Sequence, residues 1–370
     1  MHYHIIMTEL CNSQCKYCYE KSMKEFDNNL DKKFHFDFSA PDVSKVSEDK
    51  LKNFLQKDKN PVLIFYGGEP LLEAEKIIKI IDSLKDTNTR FRIQTNGKLF
   101  DKFPIEYLKK IEKVLVSIDG DKKRTDFNRG EGTYEKVMKN IALIKKEGYN
   151  GELIARMTIS MPDIFEQVKH LINAGFTSVH WQLDAGFFKF DFNKKEFERF
   201  VEEYNKDISK LIDFWLDDMK KNKRVLTLYP FVAIVRSLLK GEKTKLRCGA
   251  GHSGYAIGTD GKIIACPIMN NIKEFEAGDL DTPIEKLKRF DVDGDCLKCD
   301  VRDLCGGRCL YWNKAGLWPE EGNKLICKTI KHLITELQKT LPEIRLLIKK
   351  GIIHEKYFDY EKYFGPEIIP

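Results

Sequence analysis

The chain has 370 residues, 42% hydrophobic and 32% charged, with a formal net charge of +6; single cores stop growing at roughly 250–300 residues, so two or three domains are expected. The charge is spread over interspersed runs such as Lys122-Lys123-Arg124 and Lys220-Lys221-Asn222-Lys223-Arg224, with no DNA- or RNA-reading motif beside them, which argues against a nucleic-acid partner. No basic N-terminal region leads into an apolar stretch, and no apolar run nears about 18 residues, so secretion and a membrane partner are not expected and a cytoplasmic protein is.

Over the first 225 or so residues, short β-branched runs alternate with amphipathic helices. Strands are expected at Tyr3–Thr8, Val62–Tyr66, Phe91–Thr95, Val114–Ile118, Leu153–Ile159 and Ser178–Leu183. Helical patterns cover Leu72–Leu84 and Tyr134–Lys146. In the second, Tyr134, Val137, Met138, Ile141 and Ile144 share a face, with Thr133 as N-cap and Gly148 as stop. A long helix from Lys194 to about Lys221 repeats Phe197, Phe200, Val201, Tyr204, Ile208, Leu211, Ile212, Trp215 and Met219 at helical spacing, a stripe for packing against the barrel. This alternation predicts an α/β fold with a parallel sheet and right-handed crossovers. Six units rather than eight predict an open, partial (β/α)6 TIM barrel. The unusual residues gather at strand ends: Cys11, Cys15 and Cys18 after the first, Gly67-Gly68-Glu69-Pro70 after the second, then Thr95-Asn96-Gly97, Ser117-Ile118-Asp119-Gly120 and Leu183-Asp184-Ala185-Gly186. Ligands of parallel α/β folds bind at the carboxyl ends of strands, so these motifs are read as one site. Between them an insertion, roughly Glu20–Ser44, carries Phe34-His35-Phe36-Asp37-Phe38 with strand-like alternation, either a flap on the barrel or an edge for an extended peptide.

The ten cysteines are unevenly placed: three within Cys11–Cys18, none until Cys248, then seven through Cys327. In a reducing compartment that distribution points to metal ligands or catalysis rather than disulfides. The spacing C-x3-C-x2-C gives three thiolates where an electron-carrying cube takes four, leaving one iron open to a small molecule; zinc is the alternative. Gly67 and Gly68 let backbone approach a ligand, and Glu69 can accept from a cationic amine. With Tyr17 just before the last cysteine of the trio, these motifs resemble the radical S-adenosylmethionine (SAM) superfamily. The resemblance implies that the open iron chelates the amino and carboxylate groups of SAM and that an electron from the cube cleaves the sulfonium. It makes Cys11, Cys15 and Cys18 the catalytic metal ligands. It implies that Gly67, Gly68, Glu69 and Pro70 contact the methionyl amine, and that Ser117 and Asp119 meet the ribose or the methionyl carboxylate. Gln94 and Asn96 would border the pocket, and Tyr17 would lie against the adenine. Arg129 is a candidate carboxylate partner because guanidinium forms a bidentate fork, with a surface ion pair as the alternative.

The distal set reads Cys248-x17-Cys266-x29-Cys296-x2-Cys299-x5-Cys305-x3-Cys309-x17-Cys327. With Gly261 ahead of Cys266, it resembles the SPASM domain of peptide-modifying maturases. The implied boundaries are 1–225 for the barrel, 226–340 for the iron–sulfur SPASM domain and 341–370 for a tail packing on the barrel. The resemblance further implies three [4Fe–4S] clusters. One auxiliary cluster would use Cys296, Cys299, Cys305 and Cys327, and the other Cys248, Cys266 and Cys309. The latter set is one ligand short, because sulfatase maturases carry an extra cysteine where this chain has Gly249-Ala250-Gly251-His252-Ser253-Gly254. His252 or a substrate group would complete it. Two zinc sites with His252 as an eighth ligand are the alternative. Pro267 stands where sulfatase maturases carry a proton-accepting aspartate, which argues against formylglycine formation.

The expected function is radical modification of a peptide or small protein: a thioether or other crosslink, epimerisation or oxidation, with an external one-electron donor such as ferredoxin or flavodoxin. Asp184, Arg156 and Tyr255 are candidate proton acceptors at the predicted rim. A small-molecule substrate, such as an amino sugar or a cofactor precursor, is the alternative. It is favoured by a first strand that begins at the N-terminus with no leader-binding domain ahead of it. An iron–sulfur electron carrier without SAM turnover is the third reading. Residues 341–370 would pack on the barrel or bind a partner.

Overall fold

The computed structural model describes residues 1–18, 28–365 and 369–370. Two compact units make up the chain: one holds residues 1–18, Asn29–Arg156 and Gly249–Phe290, the other Met157–Cys248 and residues 291–365 and 369–370. Among the described residues no helix is long and apolar enough to cross a membrane.

In the first unit the sheet runs β10-β9-β8-β1-β2-β3-β4-β5. Its strands are β1 (His2–Thr8), β2 (Val62–Gly67), β3 (Arg90–Thr95), β4 (Ile111–Ser117), the first five residues of β5 (Glu152–Ile159), β8 (Gly254–Ile257), β9 (Lys262–Ile264) and β10 (Glu276–Asp279). β1 to β5 are parallel, the arrangement of a partial (β/α) barrel, and β2 is buried along almost its whole length, as expected for a strand covered on both faces. β1 is central. It pairs in parallel with β2 (His2 opposite Val62) and, on its other side, with β8 (Tyr3 opposite Tyr255). β9 and β10 continue antiparallel from β8. The crossovers include α1 (Glu48–Leu55), α2 (Ala74–Ser83), α3 (Lys122–Arg129) and α4 (Thr133–Lys146).

The second unit contains β6 (Ser178–Leu183), paired in parallel with β7 (Thr227–Leu228), and helices α5 (Ile164–Asn173), α6 (Lys194–Asn222), α7 (Tyr229–Lys240) and α8 (Glu320–Lys349). The stripe on α6 is core: Val201, Tyr204, Ile208, Leu211, Ile212, Trp215 and Met219 are all buried. Its partners include α8, where His332 Nε2 lies 2.9 Å from Ser209 Oγ and Lys220 pairs with Glu343 at 2.7 Å.

Several sequence expectations need correction. Thr133 is not the N-cap of α4; Gly132 is, at φ 74°, and the Thr133 hydroxyl donates to Arg129 O at 3.2 Å. The helix expected from Leu72 opens with a 3-10 turn at Pro70–Glu73, with Pro70 at its first position, where a missing N–H costs nothing. Phe34–Phe38 forms no strand. Phe36 makes an isolated bridge to Ile272, flanked by bonds from Asp37 N to Asn271 O and from Lys273 N to His35 O, so this edge is taken by the chain's own residues. Residues 20–27 of that insertion lie outside the described residues. Leu341 is no boundary, since it sits inside the 30-residue α8.

Candidate functional site

The site of the first unit is built where β1 and β2 end. A Cβ on Gly67, at φ +134°, would stand 2.2 Å from Thr8 O, and one on Gly68 would stand 2.3 Å from Leu10 O. The glycine pair therefore admits the chain's own backbone, not only a ligand: Gly68 N–H donates to Thr8 O and Glu69 N–H to Leu10 O, fixing the start of the cysteine loop. Glu69 is fully buried. It accepts from Leu71 N (3.0 Å), Thr95 Oγ1 (2.7 Å) and Asn96 N (2.7 Å). Burial raises its pKa against those three donors. A carboxylate offers about four lone-pair positions, so one remains for a cationic donor. The Asn96 amide donates to Asn12 Oδ1 at 2.6 Å and lies 4.0 Å from Cys11 Sγ, holding the loop from the other side.

A second clamp comes from α3, which Asp121 caps by accepting from Arg124 N–H. Asp119, fully buried at the end of β4, accepts from the Tyr17 hydroxyl, Asn128 Nδ2 (3.2 Å), Arg129 Nε (3.0 Å) and Arg129 Nη2 (2.9 Å). Arg129 is thus in a buried bidentate pair rather than a surface one, and both residues expected to contact SAM are engaged with each other. Burial disfavours the Arg129 cation, but Asp119, Tyr17 and Cys15 outweigh it and raise its pKa. Its Nη1 stands 3.9 Å from Cys15 Sγ and its guanidinium 5.3 Å from the Tyr17 ring centre. Lys16 N–H donates to Asn128 O, so α3 also holds the loop by backbone. Asn128 and Asn12 carried no sequence signal. Pro70 is buried, Gln94 sits opposite Leu115 in the sheet and Ser117 opposite Arg156. Cys11 is exposed, Cys15 and Cys18 are half-buried, and none of the three is in a disulfide. Burial, then Glu69 and the other two thiols, push the Cys11 pKa up, a cost that binding a cation removes.

In the second unit Cys296, Cys299, Cys305 and Cys327 line one cavity of about 30 Å³, together with Gly307, Arg308 and Trp312. Burial, and next the neighbouring thiols, push the pKa of Cys296 and of Cys327 up to about 11. Four thiols around one space, each disfavouring its neighbours' ionisation, with no carboxylate in the lining, are a donor set for a soft metal centre. Among the described residues no three His, Cys, Asp or Glu side chains converge as ligands of a single ion; a cube needs its ligands spread over separate irons. Cys309 and Cys248 belong to this unit, Cys266 and His252 to the first. The His252 loop lies beside the residue before Cys266 through Gly251 N–H to Ala265 O, and His252 Nδ1 is 2.8 Å from Ser253 Oγ. Of the candidate acceptors, Tyr255 is buried and its hydroxyl lies 3.3 Å from Gly251 O and 3.2 Å from Lys288 O, so it is occupied by backbone. Asp184 follows β6, its N–H bound to Ile159 O, and Arg156 lies in β5.

Three loop-held cysteines thus follow the first strand of an α/β partial barrel. Residues 5–173 match the family model of the radical SAM superfamily. The chain is 25% identical over 327 residues to a cysteine-type anaerobic sulfatase-maturating enzyme of Clostridium perfringens, spanning 81% of this chain and 85% of that one. It is 24% identical over 339 residues to the radical SAM cyclopropyl synthase TigE of Paramaledivibacter caminithermalis, spanning 83% and 67%. The fold is similar to that of anSMEcpe solved with bound AdoMet and Cp18Cys peptide (TM-score 0.67, 19% identity, 93% of this chain and 99% of that one). It is also similar to Streptococcus suis SuiB bound to its precursor peptide SuiA (TM-score 0.56, 14% identity, 84% and 72%). The chain belongs to the radical SAM superfamily. It is a SAM-dependent iron–sulfur enzyme, and its similarities run to maturases.

Proposed function

We propose that this enzyme modifies a peptide or small protein after translation, forming a crosslink such as a thioether, an epimerised centre or an oxidised one. The second thiol set carries this reading: seven further cysteines, four around one cavity, in a chain aligned over most of its length with enzymes named as a maturase and a cyclopropyl synthase. Solved relatives of the same fold are named with bound peptides, which supports a peptide partner here. Cys11, Cys15 and Cys18 would hold the SAM-binding cluster, Cys296, Cys299, Cys305 and Cys327 a fully ligated auxiliary cluster, and Cys248, Cys266 and Cys309 another. His252 or a substrate group would complete that last set. Residues 226–340 would form the auxiliary-cluster domain. When bound, SAM and the first cluster supply a 5′-deoxyadenosyl radical by one-electron cleavage, the electron coming from a ferredoxin- or flavodoxin-like donor. Glu69 would use its remaining lone pair on the methionyl amine, with Gly67, Gly68 and Pro70 shaping that contact. Asp119 and Arg129 would hold Tyr17 in place near the adenine, and Gln94, Asn96 and Ser117 would border the pocket. Pro267, which opens a 3-10 turn directly after Cys266, offers no proton-accepting group, so sulfatase oxidation is not the reaction proposed.

Anaerobic reconstitution followed by dithionite, SAM and candidate peptides tests this reading by mass spectrometry. The expected result is about twelve irons per chain, 5′-deoxyadenosine, and a mass change confined to a peptide. A mass change on small molecules alone would move the reading to an amino sugar or cofactor precursor. Failure to form 5′-deoxyadenosine with full iron would leave only an electron carrier.

A further inference from the structure

Among the described residues, the second unit buries a cation with no carboxylate in an ion pair with it. Arg308 is only 3% exposed, and its Nε and Nη1 have no hydrogen-bond partner among the described residues. The charges that reach it come from Cys309, Cys327, Cys305 and Tyr204, which would all be neutral as thiols and phenol. It lines the cavity formed by Cys296, Cys299, Cys305 and Cys327. Its guanidinium lies 5.4 Å from the Trp312 ring centre and 5.8 Å from that of Phe187, and Trp312 Nε1 is likewise buried without a partner. A buried, unpaired guanidinium is very costly unless an anion is meant to face it.

The backbone is arranged to hold it there. Gly306, Gly307 and Arg308 are three consecutive residues at positive φ, 76°, 98° and 55°. Only the glycines adopt this without strain, so Arg308 sits in a conformation that its own side chain disfavours. Neither glycine could carry a Cβ: one on Gly306 would lie 2.7 Å from Leu246 N, and one on Gly307 2.7 Å from Val292 Cγ1.

We infer that Arg308 is a cluster-tuning residue: its guanidinium faces the net negative charge of an iron–sulfur cluster held by Cys296, Cys299, Cys305 and Cys327, and raises the potential at which that cluster accepts an electron. This rests on the auxiliary-cluster reading above. Hydrogen bonds and net charge near the sulfurs are established determinants of such potentials. A fixed cation favours the reduced, more negative state, so its loss moves the potential down.

The test uses the full chain with Cys11, Cys15 and Cys18 replaced by Ala, so that only the distal cysteines bind iron. EPR-monitored redox titration is run on this parent and on Arg308→Gln and Arg308→Lys. The expected parent holds about eight irons. R308Q should shift the one-electron reduced-to-oxidised ratio at least tenfold toward oxidised, which is 59 mV, and R308K should recover most of that shift at unchanged iron content. If R308Q loses iron, R308K decides: retained iron with a near-parental potential supports the inference, and equal loss in both variants overturns it. Full iron and an unmoved potential in R308Q also overturn it. A parent that binds no iron instead defeats the auxiliary-cluster reading itself.

Discussion

Asp119 accepts four donors from three residues, and the pair it forms with Arg129 is buried on both sides, at 0% and 7% exposure. Replacing it by Ala would leave the Arg129 cation without a carboxylate and free the Tyr17 hydroxyl. Removing one partner of a buried pair costs about 3–5 kcal/mol. D119A should therefore lower thermal stability by that amount and lose iron from the cysteine trio. Both effects are read by calorimetry and iron counting on the reconstituted chain, and wild-type stability would show the pair to be dispensable. The identities of Asp119 and Arg129 were legible because each sits in a motif, but their union was not. They are ten positions apart, across a turn and the unforeseen helix α3, and only the folded helix brings a guanidinium back over the strand end. Arg308 left a fainter trace, the Gly306-Gly307 pair between two cysteines.

At the scale of elements, strands were the most readable part, because β-branched runs buried on both faces have few other uses; Ser178–Leu183 matches β6 residue for residue. Less readable were β8, β9 and β10. They are three or four residues long and embedded among cysteines, so their spacing carried metal-site information and hid the strand signal. Gly68 shows how tightly β1 and β2 are joined at the site. G68A should displace the Leu10 carbonyl and with it the cysteine loop, lowering iron by about four per chain and 5′-deoxyadenosine formation at least tenfold. Spectra of the distal clusters should persist; retained turnover would mean that the loop can adapt. The C-terminal segment also belongs to an element's packing. Phe358 is fully buried with its ring 6.0 Å from Trp215 of α6, and Arg236 of α7 donates to Tyr360 O at 3.0 Å. Phe358→Ala should cost about 3–5 kcal/mol in urea unfolding, and an effect under about 1 kcal/mol would mark the segment as a loose appendage.

For the molecule as a whole, linear reading and folded organisation diverge. Motif order suggested a barrel followed by a separate cysteine-rich domain, yet Gly249–Phe290 is compact with the N-terminal half while Met157–Cys248 is compact with the C-terminal end. Periodicity reports local geometry and cannot announce that a strand made late will dock beside the first one. The position of β1 between β2 and β8 has a consequence for synthesis. Its first neighbour is complete by Gly67, but its second is finished only at Ile257. At about 5–20 residues per second a ribosome needs roughly 10–40 s to cross that interval. Throughout it, one flank of the opening strand offers unpaired amides and carbonyls to any other chain nearby. A nascent polypeptide in that state calls for a chaperone, and it makes any shortened version ending near residue 225 prone to cluster with its own kind.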